Sequence, residues 1–167
     1  MEKQRLRYKL WQTLKDKSFA EQMMEDDSLK NKELAERAEI FSHLSDFRGK
    51  TVLDMGAGVG RFTTEFAGKA KNVYAVDLLE HALNKNKERN KSFNNIEYIC
   101  SDALDLNLPE KSCDLIFSSW LLMYLSEKEI DMFLEKCKFW LNSGGEVFFK
   151  ESCEQALQDL IFTKYQL

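Results

Sequence analysis

The stretch Thr51-Val52-Leu53-Asp54-Met55-Gly56-Ala57-Gly58-Val59-Gly60-Arg61 decides how this chain is read. Its first five residues form a short, mostly apolar run halted by glycine, as expected of a strand buried on both faces. The alternating glycines then put bare backbone between that strand and a helix expected at 61–69, where a ligand can approach closely. Working outward, the same alternation repeats. Strands are expected at 72–76, 96–100, 114–117 and 146–150, and helices at 79–91, 127–141 and 154–165. Strand followed by helix, repeated, predicts an α/β fold, a parallel sheet with helices on both faces, because each right-handed crossover returns over the sheet. The only proline, Pro109, falls in the loop between the third and fourth strands, and 142–145 reads as a turn ahead of the fifth. The segment 1–48 is charged and helix-prone, with Leu34, Ala38, Phe41 and Leu44 at helical spacing. We therefore read a helical leading segment, 1–48, and a ligand-binding domain, 49–167.

At 167 residues, 44% hydrophobic and 31% charged, the chain suits one domain of ordinary size. Lys+Arg 24 against Asp+Glu 28 leaves a net charge of -4, which argues against a nucleic-acid partner held by the general field. The apolar stretch 115–125 is broken by Ser118 and Ser119 and is far too short to span a bilayer. No secretory apolar region follows Met1, so the expectation is a soluble, cytoplasmic protein without a membrane partner. Cys100, Cys113, Cys137 and Cys153 form no CxxC pair, and the only histidines are His43 and His81. The cysteines are expected to be reduced core residues, with no metal centre.

A dinucleotide fingerprint requires glycine where Arg61 stands, so a nicotinamide cofactor is the weakest reading. The GxGxG spelling is similar to the S-adenosylmethionine loop of Rossmann-like class I methyltransferases. In that reading Arg61 faces the methionine carboxylate; otherwise it is a surface arginine at a tight turn. Asp77 ends the second strand, where a carboxylate can accept both hydroxyls of a ribose. Leu78 packs on the adenine face or in the core. Asp102, after the third strand, is placed to accept from an adenine amino group, and Ala103 leaves space for the ring. Asp54 lies inside the first strand and needs a partner, from loop amides or a ligand ammonium.

Three motifs carry a more specific likeness. Gly56-Ala57-Gly58-Val59-Gly60-Arg61-Phe62-Thr63, Phe117-Ser118-Ser119-Trp120-Leu121-Leu122-Met123-Tyr124-Leu125-Ser126 and Phe148-Phe149-Lys150-Glu151-Ser152-Cys153 together resemble the phosphoethanolamine N-methyltransferases, which make phosphocholine. Ala82-Leu83-Asn84-Lys85-Asn86 fits as well, and Trp11 and Met23-Met24 resemble that family's leading segment, although the tyrosine and histidine expected near that tryptophan are not evident, and Tyr8 either substitutes for them or does not. The resemblance implies S-adenosylmethionine as cofactor, a small phosphobase as substrate, and a leading segment that covers the active site. It implies cofactor contacts at Gly56, Gly58, Arg61, Asp77, Asp102, Ala103 and Ser119, and a catalytic, substrate-side role for Tyr124. Trp120 stands four residues before Tyr124. If the segment is helical, both share a face at the mouth of the site, with aromatic core packing as the alternative.

A primary amine with a pKa near about 10.4 is almost wholly protonated at pH 7 and has no lone pair to donate. Such an enzyme must favour loss of that proton and align nitrogen with the sulfonium methyl. Tyr124 is the candidate for orienting the amine or relaying its proton. The resemblance also implies two strands and a phosphate-binding segment beyond the fifth strand that this sequence lacks. That predicts a bare sheet edge, which a protein partner would complete. A non-catalytic cofactor-binding module, or methylation of another small molecule, are the competing expectations.

Overall fold

The computed structural model describes residues 27–152 and 160–166, with side chains over 34–151. Tyr8, Trp11, Met23-Met24 and Cys153, on which expectations were placed, lie outside the described residues. The chain divides into two compact units, Met1–Ser45 and Asp46–Leu167. In the first, helix α1 spans Asp27–His43. The expected apolar stripe is not its buried face: Leu34 is 55% exposed, whereas Ile40 is fully buried. Ile40 sits about 100° around the helix from Phe41, outside the stripe as read.

The second unit runs β1 Thr51–Met55, α2 Thr63–Ala67, β2 Asn72–Asp77, α3 Glu80–Arg89, β3 Ile96–Cys100 and β4 Cys113–Ser119. A 3₁₀ turn, Leu122–Tyr124, follows, then α4 Glu127–Trp140, β5 Leu141–Ser152 and β6 Leu160–Gln166. The strands form one sheet in the order β3-β2-β1-β4-β5-β6. The first five are parallel and β6 is antiparallel to β5. This is the doubly wound arrangement read from the sequence, with two corrections.

The first concerns the end of the chain. The helix expected over 154–165 is instead a strand over Leu160–Gln166, with residues 153–159 outside the described set. Leu-Ile-Phe-Thr-Lys-Tyr is rich in β-branched and aromatic residues, and the open edge of β5 supplies the ladder partner such a run needs. One of the two strands expected to be missing is therefore present, and β5 is not the bare edge that a protein partner would have to complete. The second concerns 142–145. These residues are counted within β5, yet the register jumps, since Leu141 pairs with Cys113 and Glu146 with Leu115. The expected turn is a bulge inside one strand. It is tied down by the Asn142 amide, which donates to Asp114 Oδ1 at 2.8 Å, while Asp114 Oδ2 accepts from the Thr51 N–H at 2.8 Å.

The alternation of strand side chains divides the core between the two faces of the sheet. Phe117 and Phe148 stack at 5.8 Å, and Phe117 meets Phe66 at 5.1 Å and Phe62 at 4.8 Å. A second cluster joins Leu53, Met55, Ile116, Val147 and Phe149 to Phe133, Cys137 and Trp140 of α4. Each such buried large side chain contributes about 1.5–3 kcal/mol. Helix α4 starts at Ser126, whose backbone N–H donates to Glu129 Oε2 at 2.8 Å. Burial pushes the Cys113 thiol up to about 11 and the Cys137 thiol up to about 12, which keeps both inert. Cys100, expected in the core, is exposed, because it ends β3 at the outer edge of the sheet.

Strand order reverses between β1 and β4, and the crevice at such a switch point, outside the carboxyl ends of the strands, is where open α/β sheets bind ligands. Gly56, Asp77, Asp102, Ser119 and Glu151 all fall at that edge.

Candidate functional site

The glycine loop is fastened to the end of β2. Gly56 and Ala57 N–H groups both donate to the Val76 carbonyl at 2.9 Å, and the Gly58 N–H donates to Asp77 Oδ2 at 2.8 Å. The other oxygen of Asp77 accepts from the Leu79 N–H at 2.8 Å. Asp77 is thus the latch that shapes the loop. A carboxylate offers about four lone-pair sites, more than these backbone donors fill, so Asp77 can also accept from a ribose hydroxyl. Burial pushes its pKa up, against the lowering effect of these N–H donors.

The glycines do different work. Gly56 and Gly58 have left-handed φ values of 76° and 52°, and a Cβ at Gly58 would meet nothing nearer than the Gly56 carbonyl at 4.0 Å. That position faces open space. At Gly60, φ 88°, a Cβ would collide with the Asn86 amide and stand 2.8 Å from Asn90 Nδ2. Gly60 is there for packing, not for ligand access. Gly60→Ala is therefore expected to lower stability by roughly 2–4 kcal/mol, combining left-handed strain with the collision. Urea unfolding measures it, and a loss below about 1 kcal/mol would refute the packing role.

Beneath the loop runs a chain of polar side chains that sequence reading missed. Thr63 Oγ1 donates to Asp54 Oδ2 at 2.6 Å, Asn86 Nδ2 to Thr63 Oγ1 at 2.9 Å, and Asn90 Nδ2 to Asn86 Oδ1 at 2.8 Å. Thr64 Oγ1 closes it on Asn90 Oδ1 at 2.7 Å. Asp54, Thr63, Asn86 and Asn90 are all buried. The chain ties β1, α2 and α3 together, and it answers the question of Asp54's partner with a hydroxyl, not a loop amide. Burial, with the Asp77 charge adding to it, pushes the Asp54 carboxyl up to about 7 despite the Thr63 hydroxyl. The asparagines stand four apart, Asn86 on α3 and Asn90 at its C-terminal cap, which was the available signal.

Asp102 follows β3 and is buried, its Oδ1 accepting from the Leu104 N–H at 2.9 Å, with Ala103 buried beside it. Leu78, adjoining the latch, is partly buried, as is Ser119 at the last position of β4. The Arg61 guanidinium lies 6.0 Å from the centre of the Phe62 ring. Asp54, Asp77, Asp102, the glycines and Ser119 thus share the carboxyl edge of four adjacent strands.

After β4 the chain forms a strap. Trp120 has a left-handed φ of 58°, and only Leu122–Tyr124 is a 3₁₀ turn, so the four-residue spacing does not put Trp120 and Tyr124 on one helix face. The strap is pinned by β5. The Trp120 N–H donates to the Lys150 carbonyl at 2.9 Å, and the Leu121 and Leu122 N–H groups donate to Glu151 Oε1 at 3.0 and 2.9 Å. The Lys150 ammonium sits 4.5 Å from the centre of the Trp120 ring, a cation–π pair. Tyr124 is partly buried, and burial together with the nearby Glu151 charge pushes its hydroxyl pKa up. Lys150 and Glu151 stood in a quoted motif, but nothing in their spacing shows that they organise the strap.

Parallel strands reversing at a switch point, a glycine loop latched to an aspartate, and a second aspartate one strand further out define a Rossmann-like methyltransferase core. The chain belongs to the methyltransferase-domain family, whose profile matches residues 52–145. It is 45% identical to phosphoethanolamine N-methyltransferase 3 of Arabidopsis thaliana over 135 residues, 80% of this chain and 28% of that protein. It is 40% identical to phosphoethanolamine N-methyltransferase 1 of Caenorhabditis elegans, over 87% of this chain and 30% of that one. Among solved structures it resembles Haemonchus contortus phosphoethanolamine N-methyltransferase 1 in complex with phosphoethanolamine and S-adenosylhomocysteine. The TM-score is 0.84 at 39% identity, covering 91% of this chain and 33% of that one. The chain thus spans about a third or less of the length of these relatives. The likeness read from the three motifs is borne out. No helix among the described residues is long and apolar enough to cross a membrane.

Proposed function

We propose that this chain carries the S-adenosylmethionine-binding core of a cytoplasmic enzyme that methylates the nitrogen of phosphoethanolamine or its methylated forms, toward phosphocholine. The observation that carries the reading is the likeness, over 91% of this chain, to a structure described with both phosphoethanolamine and S-adenosylhomocysteine.

The residues present fit the cofactor. Asp77 keeps acceptor capacity beyond its backbone donors, Gly58 leaves room where a side chain would stand, and buried Asp54 suits a cationic partner. When bound, S-adenosylmethionine supplies an electrophilic methyl group whose transfer relieves the positive charge on sulfur. Asp77 would hold the ribose, Asp102 the adenine amino group beside Ala103 and Leu78, and Asp54 the methionine ammonium. Gly56, Gly58, Arg61 and Ser119 complete the cradle. Trp120 lines the mouth and Tyr124 meets the acceptor amine.

Because its pKa is raised, Tyr124 stays a neutral phenol near pH 7 and orients the amine as a hydrogen-bonding group, not as a phenolate base. Tyr124→Phe is expected to leave S-adenosylhomocysteine affinity unchanged and to lower kcat by roughly 10- to 100-fold. Titration calorimetry and turnover assays report the two quantities separately, and an unchanged kcat would remove Tyr124 from the reaction. The function itself is tested by transfer of labelled methyl from the cofactor to phosphoethanolamine and its mono- and dimethylated forms. S-adenosylhomocysteine binding without transfer to any of the three would make the chain a cofactor-binding module instead.

A further inference from the structure

The proposed acceptor arrives as a cation, and neither Tyr124, a neutral phenol, nor Trp120, already faced by the Lys150 ammonium, supplies a formal negative charge to receive it. One carboxylate at this edge is half used. Glu151 stands near the end of β5, where Oε1 accepts both strap N–H groups, from Leu121 and Leu122. Its second oxygen, Oε2, is buried and has no hydrogen-bond partner. Glu151 also lies close enough to Tyr124 for its charge to lift the phenol pKa. A buried carboxyl oxygen without a donor is costly, and such orphans call for an explanation in the molecule's task. The neighbouring cation does not provide one. Lys150 alternates with Glu151 along the strand and places its ammonium over the Trp120 ring.

We propose that Glu151 is the anionic anchor of the acceptor site, its Oε2 accepting an N–H from the substrate ammonium beside the Tyr124 hydroxyl. This rests on the reading of the chain as an amine methyltransferase and deepens it. One carboxylate then sets the strap with one oxygen and the acceptor nitrogen with the other, so the same group fixes Tyr124 and its target in a common frame. It also accounts for selectivity. A cation is drawn to a charged acceptor in a dry site, whereas a neutral isostere of the substrate leaves that charge unsatisfied.

Glu151→Gln separates the two jobs, since the amide oxygen can still accept from Leu121 and Leu122 while the charge is gone. The experiment titrates phosphoethanolamine, and propyl phosphate with a methyl in place of the ammonium, into wild type and variant saturated with S-adenosylhomocysteine. Wild type is expected to prefer the amine by about tenfold or more. In the variant that preference disappears, propyl phosphate binds within about twofold of wild type, and S-adenosylhomocysteine affinity is unchanged. A variant that keeps the wild-type preference overturns the proposal. So does one that loses both ligands equally, because Glu151 would then act only through the strap. Wild type that binds neither phosphate compound would instead bring down the phosphobase reading, and this inference with it.

Discussion

Asp77→Ala is expected to raise the dissociation constant for S-adenosylhomocysteine by at least about 100-fold, because two charge-assisted hydrogen bonds to the ribose are lost together. The loss goes beyond the ligand's own contacts. Asp77 accepts from the Gly58 and Leu79 N–H groups, so removing it orphans two donors and releases the glycine loop from β2. A lower melting temperature should therefore accompany the lost affinity. Asp77→Asn keeps one carbonyl-type acceptor and should fall between wild type and alanine in both measurements. Calorimetric affinity within about threefold of wild type for the alanine variant would show that the ribose is held elsewhere.

Asp54→Asn is expected to move stability and binding in opposite directions. The folded-state pKa of Asp54 is pushed up to about 7 from an ordinary 3.8. The folded protein therefore holds that proton more tightly than the unfolded chain does. The stability this contributes is complete below the ordinary value and is lost as pH rises through about 7. Asparagine cannot ionise, and its oxygen can still accept from Thr63. At pH 8 the ligand-free variant should be more stable than wild type by on the order of 3 kcal/mol, and the difference should vanish near pH 4. Affinity for S-adenosylhomocysteine should fall, since the partner proposed for the methionine ammonium has lost its charge. Urea unfolding across pH 4 to 8 gives the first quantity and calorimetry the second. Parallel stability profiles for the two proteins would refute the assignment of a buried, proton-holding Asp54.

The parallel sheet was legible because buried strands such as 51–55 and 114–117 write their own signal, a short apolar run between turn residues. Asp77 and Asp102 were legible for the same reason, since the end of a strand is where its run stops. What escaped depended on partners distant in the chain. The 160–166 strand has a β-prone composition, but its partner, the edge of β5, is not visible in a local reading. Thr63, Asn86 and Asn90 are polar residues whose burial appears only when α2 and α3 meet over β1. The strap misled for a local reason. Its apolar spacing suits a helix, but two N–H groups are claimed by Glu151 from thirty and twenty-nine residues away, and the backbone follows them. The leading helix was legible as a helix, yet which side it buries was not, since Ile40 lies off the stripe.

The hydrogen-bonded line from Asp54 to Thr64 has a consequence for the energetics of occupancy. A phosphate or nucleoside cradle made of glycine commonly freezes when its guest arrives, and that ordering is subtracted from the affinity. Here the floor is set by folding, through side chains of β1, α2 and α3 that close on one another before any guest is present. Preorganisation of this kind leaves recognition to be expressed mainly in how slowly the guest departs, not in how much of the protein it must first assemble.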